Sequence, residues 1–351
     1  MNARCIGGVL MLAAALMALA VRADPKDNPP RKVIVGTVCF RYKGTPEERA
    51  ARLDRHLAEM AEKAKANHGG RRLDLAVFPE SCLMRDGTNA MEKTVPMGFV
   101  LGTAGAAARR HGCYVAVGAD LEEELEDGRV VPRNALVFLD RRGEVVGVYN
   151  KVHTALDWGD VNASVAESGM AAGSGFQVFD TDFGKVGGLI CFDMSYPDGW
   201  AELKKGGAEI VVISTMSPQE FRPSLFAHMH QYWVVTSTPS HQAVVITPLG
   251  FNKERVADDA VLVTEIDLSY VMCHWSQQLR GGRSLAEKFG KDAFGGIYIT
   301  GENNGIFWSN RADMPIGRMI EAVNVRPRDF EAARAERISA ANRVPQRGRY
   351  R

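Results

Sequence analysis

The chain has 351 residues, of which 46% are hydrophobic and 24% charged, a composition typical of a globular protein rather than a disordered or fibrous one. Its 43 basic and 42 acidic residues leave a formal net charge of +1, so bulk charge does not favour a nucleic acid as partner, and only residues 326–351 are locally rich in arginine. A chain of this length buries about three quarters of its unfolded surface, which is enough for one large core.

The first residues are typical of an export signal. Arg4 supplies a positive charge, residues 7–20 form an apolar run, and residues 21–23 offer a small-residue cleavage site. We therefore predict a signal peptide over residues 1–23 and a polar leader over residues 24–31. The mature protein is then exported, to the periplasm or the medium, without a stable membrane span. The run is short for an ordinary span, and an uncleaved N-terminal anchor is the alternative interpretation.

Strands and helices alternate in the first half of the predicted mature chain. Thr45 precedes a proline, and Glu48 follows three residues later, which predicts a helix that begins in a capping box. The glycine pair at 69–70 predicts that this helix ends near Asn67. In chain order the predicted elements are a strand at 32–40, this helix, a strand at 73–78, a helix at 98–111 and a strand at 114–118.

Hairpins dominate the second half. The predicted elements are hairpins at 133–139/145–150 and 176–180/185–191, a helix at 197–205, a strand at 210–214, a helix at 224–233, and strands at 234–237, 243–247 and 260–266. This mixture indicates a layered α/β fold rather than a doubly wound sheet, and no glycine-rich phosphate motif follows a strand. The pattern loosens after residue 268, so residues 269–351 are expected to be an extension that packs on the core or on a partner subunit.

Three apolar strands end in a reactive side chain. Glu80 follows the strand at 73–78, Lys151 follows the strand at 145–150, and Cys191 ends the strand at 185–191. Each residue has an ordinary alternative: a solvated loop carboxylate, an edge-strand lysine and a buried structural cysteine.

The three side chains together fit one kind of chemistry. A thiol needs a base to become a nucleophile, and Glu80 can serve as that base. A tetrahedral intermediate needs a cation or backbone N–H groups around its oxyanion, and Lys151 with the Phe192 amide can supply them.

Three short motifs carry a resemblance to a known family. Phe-Pro-Glu (78–80), Asn-Lys-Val-His (150–153) and Ile-Cys-Phe-Asp (190–193) occur in this order, with Gly-x-Val-Gly-Gly before the cysteine. In these motifs the chain resembles the nitrilase, or carbon–nitrogen hydrolase, superfamily over about residues 33–268.

The resemblance implies a four-layer αββα sandwich for a domain at 32–268. It implies cleavage of a small amide, or less commonly a nitrile, through a thioester, with no metal or organic cofactor, in a homodimer or larger homo-oligomer. Glu80 would be the general base, Lys151 the stabiliser of the intermediate and Cys191 the nucleophile. Glu167 is the best match to a further glutamate that positions the base or the substrate, with a surface glutamate as the alternative.

The chain departs from the family pattern in places that leave the substrate open. Ser195 stands where the family usually has arginine, and the helix around 227–233 lacks its usual glutamate. A secreted nitrilase-fold binding protein with weak or no catalysis is therefore an alternative function.

A papain-like thiol protease is disfavoured because no CGSCW-like segment is present. Three nearby histidines suggest zinc, but no carboxylate pattern supports such a site; they are His228, His230 and His241.

Overall fold

The computed structural model describes residues 27–41, 43–156, 166–217, 219–274 and 279–343. The predicted signal peptide lies outside the described residues, and export therefore stays a prediction. Within the described ranges, no helix is both long enough and apolar enough to cross a membrane.

The strands form two large sheets and a small one. In chain order they are β1 (Lys32–Val38), β2 (Leu75–Val77), β3 (Tyr114–Glu124), β4 (Val130–Leu139), β5 (Val145–Asn150), β6 (Val178–Asp180), β7 (Lys185–Ile190), β8 (Ile210–Ser214), β9 (Trp233–Ser237), β10 (Ala243–Ile246), β11 (Asn252–Val256), β12 (Val261–Asp267), β13 (Tyr270–His274), β14 (Phe294–Ile299) and β15 (Asn304–Ser309). The first six-stranded sheet has the order β12-β1-β2-β3-β4-β5, and the second has the order β11-β10-β9-β8-β7-β6.

The helices lie outside these sheets. They are α1 (Pro46–Asn67), α2 (Ala90–Lys93), α3 (Met97–Val100), α4 (Ala106–His111), α5 (Pro197–Lys205), α6 (Phe221–His230), α7 (Arg283–Phe289), α8 (Ile316–Ala322) and α9 (Arg328–Ala341). A π-helical turn at Leu101–Gly105 joins α3 to α4. The capping box of Thr45 and Glu48 begins α1 as predicted.

Four layers follow from the three main groups of buried side chains. Leu53 and Leu57 of α1 pack on the outer face of the first sheet, and Trp200 and Leu203 of α5 pack on the outer face of the second. The inner faces of the two sheets meet in the central core. A Cβ at Gly188 would lie 2.9 Å from the Leu136 side chain, so glycine lets the sheets approach there. The predicted αββα sandwich is confirmed.

The predicted helix at 224–233 is wrong at both ends. The helix spans Phe221–His230, Gln231 takes a left-handed conformation with φ +54°, and Trp233 already belongs to β9. Trp233 is fully buried and pairs with Ile210 of β8, so sheet pairing outweighs local helix preference. The strand β11 was not predicted, because its Lys-Glu-Arg centre reads as loop; such charged residues are typical of an edge strand.

The residues after 268 form the small sheet, with the order β13-β15-β14. Met272 and Ile306 of this sheet join the central core, and the Tyr270 hydroxyl donates to the Gln231 carbonyl oxygen at 2.7 Å. Its other face builds a separate core with α7 and α8, which includes Leu285 and Met319. The extension therefore packs on the sandwich and carries a small core of its own.

Candidate active site

Three strand ends bring the predicted catalytic side chains together. Lys151 directly follows β5 of the first sheet, Cys191 directly follows β7 of the second, and Glu80 lies just beyond β2. The Lys151 ammonium donates to Glu80 Oε1 at 2.8 Å, and the charges of both side chains act on the Cys191 thiol. The site thus lies where the two sheets face each other.

Lys151 is a buried cation between two carboxylates. Its side chain is 2% exposed, although it follows an edge strand, and it donates to both Glu80 and Glu167. Burial lowers the pKa of the ammonium, but the charges of Glu80 and Glu167 outweigh this effect and raise the pKa overall. Lys151 therefore stays charged although it is buried, and its burial between two carboxylates distinguishes it from a solvated edge lysine.

Glu80 is held from both sheets. Its Oε1 accepts from Lys151 and from Asn134 Nδ2 at 2.8 Å, and its Oε2 accepts from the Met216 amide at 2.8 Å. The chain that carries Glu80 lies against β3, where a Cβ at Gly118 would come 2.7 Å from the Glu80 Cα. The carboxylate is 3% exposed, so it is a fixed buried group rather than a solvated one.

The structure places Glu167 in the same cluster. Its Oε1 accepts from Lys151 and from the Ala155 amide at 2.9 Å, and its Oε2 accepts from Asn134 Nδ2 at 3.2 Å. Glu167 and Ser168 both have left-handed backbone conformations, with φ of +48° and +58°. The segment is thus bent to turn the carboxylate inward, towards the lysine.

Cys191 lies at a strained turn. It has φ +43° and opens a 3₁₀ turn over Cys191–Ser195. Burial and the charge of Glu80 raise the pKa of its thiol to about 12, against the opposing effects of Lys151, Thr215 and the Met216 amide. The thiol is therefore protonated at neutral pH and needs a base to react.

The described cysteines are free thiols that differ in accessibility. Cys191 is partly exposed, and the others are buried. The buried ones are Cys39, Cys82, Cys113 and Cys273. Accessibility alone would thus make Cys191 the most readily modified of these thiols, whether or not it is a nucleophile.

Two groups of this site carried no recognised signal in the sequence. Asn134 joins Glu80 to Glu167, and a lone amide within the apolar strand β4 is the feature that could have revealed it. Met216 acts through its backbone amide, which no side-chain motif records.

The nearby histidines do not form a metal centre. His228 Nδ1 lies 3.1 Å from the Leu249 carbonyl oxygen, and His230 stacks on Phe226. Within the part of the chain that the structure describes, no three histidine, cysteine, aspartate or glutamate side chains are grouped to hold a metal ion.

The family model described as carbon-nitrogen hydrolase matches residues 40–240, more than half of the chain. The chain belongs to the carbon–nitrogen hydrolase family. The match contains the segments that carry Glu80, Lys151, Glu167 and Cys191.

Individual relatives of this carbon–nitrogen hydrolase are distant. A deaminated glutathione amidase from Yersinia enterocolitica is 31% identical over 108 residues, 30% of this chain and 37% of the relative. A citrullinase from Francisella tularensis is 28% identical over 149 residues, 42% of this chain and 50% of the relative. The chain thus spans half or less of the length of both.

A solved structure agrees in fold. A variant of the amidase from Nesterenkonia sp. AN1 covers 68% of this chain and 91% of its own, with a TM-score of 0.53 and 14% identity. At this identity the likeness shows the fold alone.

Asp193 ties the two halves of the site together. It is fully buried and accepts from the Tyr149 hydroxyl at 2.7 Å, the His153 amide at 2.7 Å and the Ile190 amide at 3.1 Å. Burial raises the pKa of its carboxyl, against the opposing effect of these hydrogen bonds. Asp193 therefore links the segment after β5, with Lys151, to the turn that carries Cys191.

Replacing Asp193 with alanine should destabilise the protein, because it leaves three donors unpaired in or near the core. At about 1 kcal/mol for each hydrogen bond, we expect the free energy of unfolding to fall by roughly 3 kcal/mol, measured by urea denaturation. The control is Asp198→Ala, at a largely exposed carboxylate in the first turn of α5, with an expected loss of at most about 1 kcal/mol. Equal losses in both variants would contradict the role assigned to Asp193.

Proposed function

We propose that this carbon–nitrogen hydrolase cleaves a small non-peptide amide through a thioester on Cys191. The observation that carries the proposal is the pairing of a partly exposed, protonated thiol with a buried carboxylate that is held against a permanently charged lysine. This combination provides a nucleophile, a base and a cation for the oxyanion in one place.

In the first step the Cys191 sulfur attacks the carbonyl carbon of the amide. The C–S bond forms as the thiol proton passes to Glu80, because a thiol with a raised pKa does not ionise by itself at neutral pH. The carbonyl oxygen takes up the negative charge, and the Lys151 ammonium and the Phe192 amide stabilise it. Phe192 is near the start of the 3₁₀ turn, where amides have no acceptor within the turn.

In the second step the tetrahedral intermediate collapses. The C–N bond breaks, Glu80 gives its proton to the leaving ammonia or amine, and a thioester remains on Cys191. Water then attacks the thioester carbon as Glu80 takes one of its protons. The C–S bond breaks, the acid leaves, and Glu80 returns the proton to the sulfur, which restores the thiol. Glu167 and Asn134 keep Glu80 and Lys151 in place, so the same carboxylate can act as base and acid in turn.

The two relatives described above suggest amide-type substrates. One is named an amidase and the other a citrullinase, so carboxamides and ureido compounds are the substrate classes to test first.

The second candidate function is a nitrilase-fold binding protein with little catalysis. Ser195, in the turn after Cys191, is the departure from the family that favours it.

Replacing Cys191 with alanine should abolish hydrolysis, because the thioester cannot form. The measurement is ammonia release from a panel of small carboxamides, ureido acids and nitriles. We expect the wild type to turn over at least one amide or ureido compound, and Cys191→Ala to lose at least 10³-fold of that rate.

The unfolding midpoint of the Cys191→Ala variant, purified in the same way as the wild type, serves as the control. An unchanged midpoint shows that activity is lost with the nucleophile and not with the fold. Undiminished activity in Cys191→Ala would disprove the mechanism. A wild-type protein that binds panel compounds without releasing ammonia would favour the binding protein.

We also propose that the protein is a homodimer or larger homo-oligomer. Phe221, Leu225 and Met229 of α6 are exposed apolar side chains, with Phe221 78% exposed, and α6 lies beside α5. Covering such a surface with a second copy removes apolar area from water. Light scattering after size exclusion should give at least twice the protomer mass for the wild type and a lower mass for Phe221→Glu. A wild-type protomer mass would refute the proposal.

A further inference from the structure

A second buried carboxylate lies behind the candidate base. Asp120 of β3 is 2% exposed, and its Oδ1 accepts from the Ser81 hydroxyl at 2.7 Å. Ser81 is the residue after Glu80 and has a left-handed backbone with φ +49°. The strained turn thus points Glu80 into the site while Ser81 bonds to Asp120.

Asp120 also faces Asn134. The two residues are directly opposite in the antiparallel pairing of β3 with β4, so their side chains project from the same face with Cβ atoms about 5 Å apart. Arg133 projects from the other face and pairs with Glu123. Asn134 is therefore the β4 side chain that meets Asp120.

The side-chain nitrogen of Asn134 has hydrogen-bond partners, and its side-chain oxygen has none among the described residues. Its Nδ2 donates to Glu80 and to Glu167, and the amide must have this orientation because ionised carboxylates only accept. Its Oδ1 is buried and meets no donor among the described residues. A buried carbonyl oxygen without a donor is costly, so a nearby proton would stabilise it.

We propose that Asp120 is a positioning residue that carries a proton and donates it in a hydrogen bond to Asn134 Oδ1, so that Asn134 is held with its amide nitrogen between Glu80 and Glu167. The protonated acid satisfies both neighbours: one oxygen accepts from Ser81, and the other donates to Asn134. This inference rests on the proposed function, because the group it positions is the candidate base.

The charges around Asp120 favour its neutral form. Burial raises the pKa of its carboxyl to about 7, the Ser81 hydrogen bond opposes this effect, and the charges of Glu80 and Glu167 add to it. Lys93, on α2, is the cation that acts in the opposite direction. Two carboxylates and one ammonium already occupy the site, so ionised Asp120 would add a third negative charge.

The direction of this pKa shift determines how stability and activity depend on pH. The folded-state pKa is raised, so the neutral form is favoured by the fold, and this contribution to stability is lost as pH rises through about 7. Over the same range Asn134 loses its donor, and Glu80 loses a fixed partner. We therefore expect kcat to fall as pH rises through 7, with little change in KM.

Asp120→Asn and Asp120→Leu distinguish positioning from simple packing. The asparagine keeps a donor for Asn134 and an acceptor for Ser81 at every pH, so its kcat should stay within about twofold of the low-pH wild type and the fall near pH 7 should disappear. The leucine keeps volume but no donor, and its kcat should be about tenfold lower across the range. Glu124→Gln, on the exposed end of the same strand, should retain the wild-type profile.

The measurement is kcat and KM from about pH 5 to about pH 9, on the panel amide that the wild type turns over fastest. An unchanged fall near pH 7 in Asp120→Asn, or equal losses in the asparagine and leucine variants, would overturn the proposal.

A second readout does not depend on activity. The infrared carbonyl stretch of protonated carboxyl groups should be stronger in the wild type at pH 6 than in Asp120→Asn, by the contribution of one carboxyl. If no panel compound is hydrolysed, the proposed function fails, and this band still decides whether Asp120 carries the proton.

Discussion

The site depends on one buried ammonium shared by two carboxylates. Lys151 lies between Glu80 and Glu167, and each of the three would be expensive to bury alone. They come from distant parts of the chain: the loop after β2, the end of β5 and the bent segment at 167–169. Pairing these charges therefore requires that the three segments meet, and this constraint determines how the chain is arranged around the site.

The charges of this cluster also act on a residue of the second sheet. Cys191 follows β7, and its thiol meets the field of both Glu80 and Lys151. Because burial keeps the thiol protonated, the ion pair does not store a thiolate. In the proposed mechanism Glu80 takes the proton when substrate arrives. Asp193 fixes the distance between the two halves by binding donors from both. In that mechanism Lys151 keeps its charge while Glu80 transfers the proton.

Local signals in the sequence predicted the elements that local chemistry determines. The capping box of Thr45, the helix Pro197–Lys205 and the strand Ile210–Ser214 all appear where their residues predict them. The end of α6 was predicted wrongly because Trp233 suits a helix or a strand, and only its pairing with β8 decides. The small C-terminal sheet carried too weak a pattern for any element to be predicted.

The site shows the same difference between residues that local signals predict and residues that only the folded chain brings together. Glu80, Lys151 and Cys191 each follow a predicted strand, and short motifs point to them. The partners that hold them were out of reach, because Asn134 and the Met216 amide become neighbours of Glu80 only when both sheets have folded. A hydrogen bond between residues 136 positions apart leaves no local pattern.

The most direct test of the central claim compares the alkylation rate of Cys191 by iodoacetamide in the wild type and in Glu80→Gln, with modified peptides identified by mass spectrometry at neutral pH. The four buried cysteines serve as internal references, and Glu124→Gln as the matched charge control. If Glu80 takes the thiol proton, Glu80→Gln should slow the modification at least tenfold. An equal or faster rate would contradict the account, because removing the negative charge of Glu80 by itself lowers the pKa of the thiol and makes it more reactive.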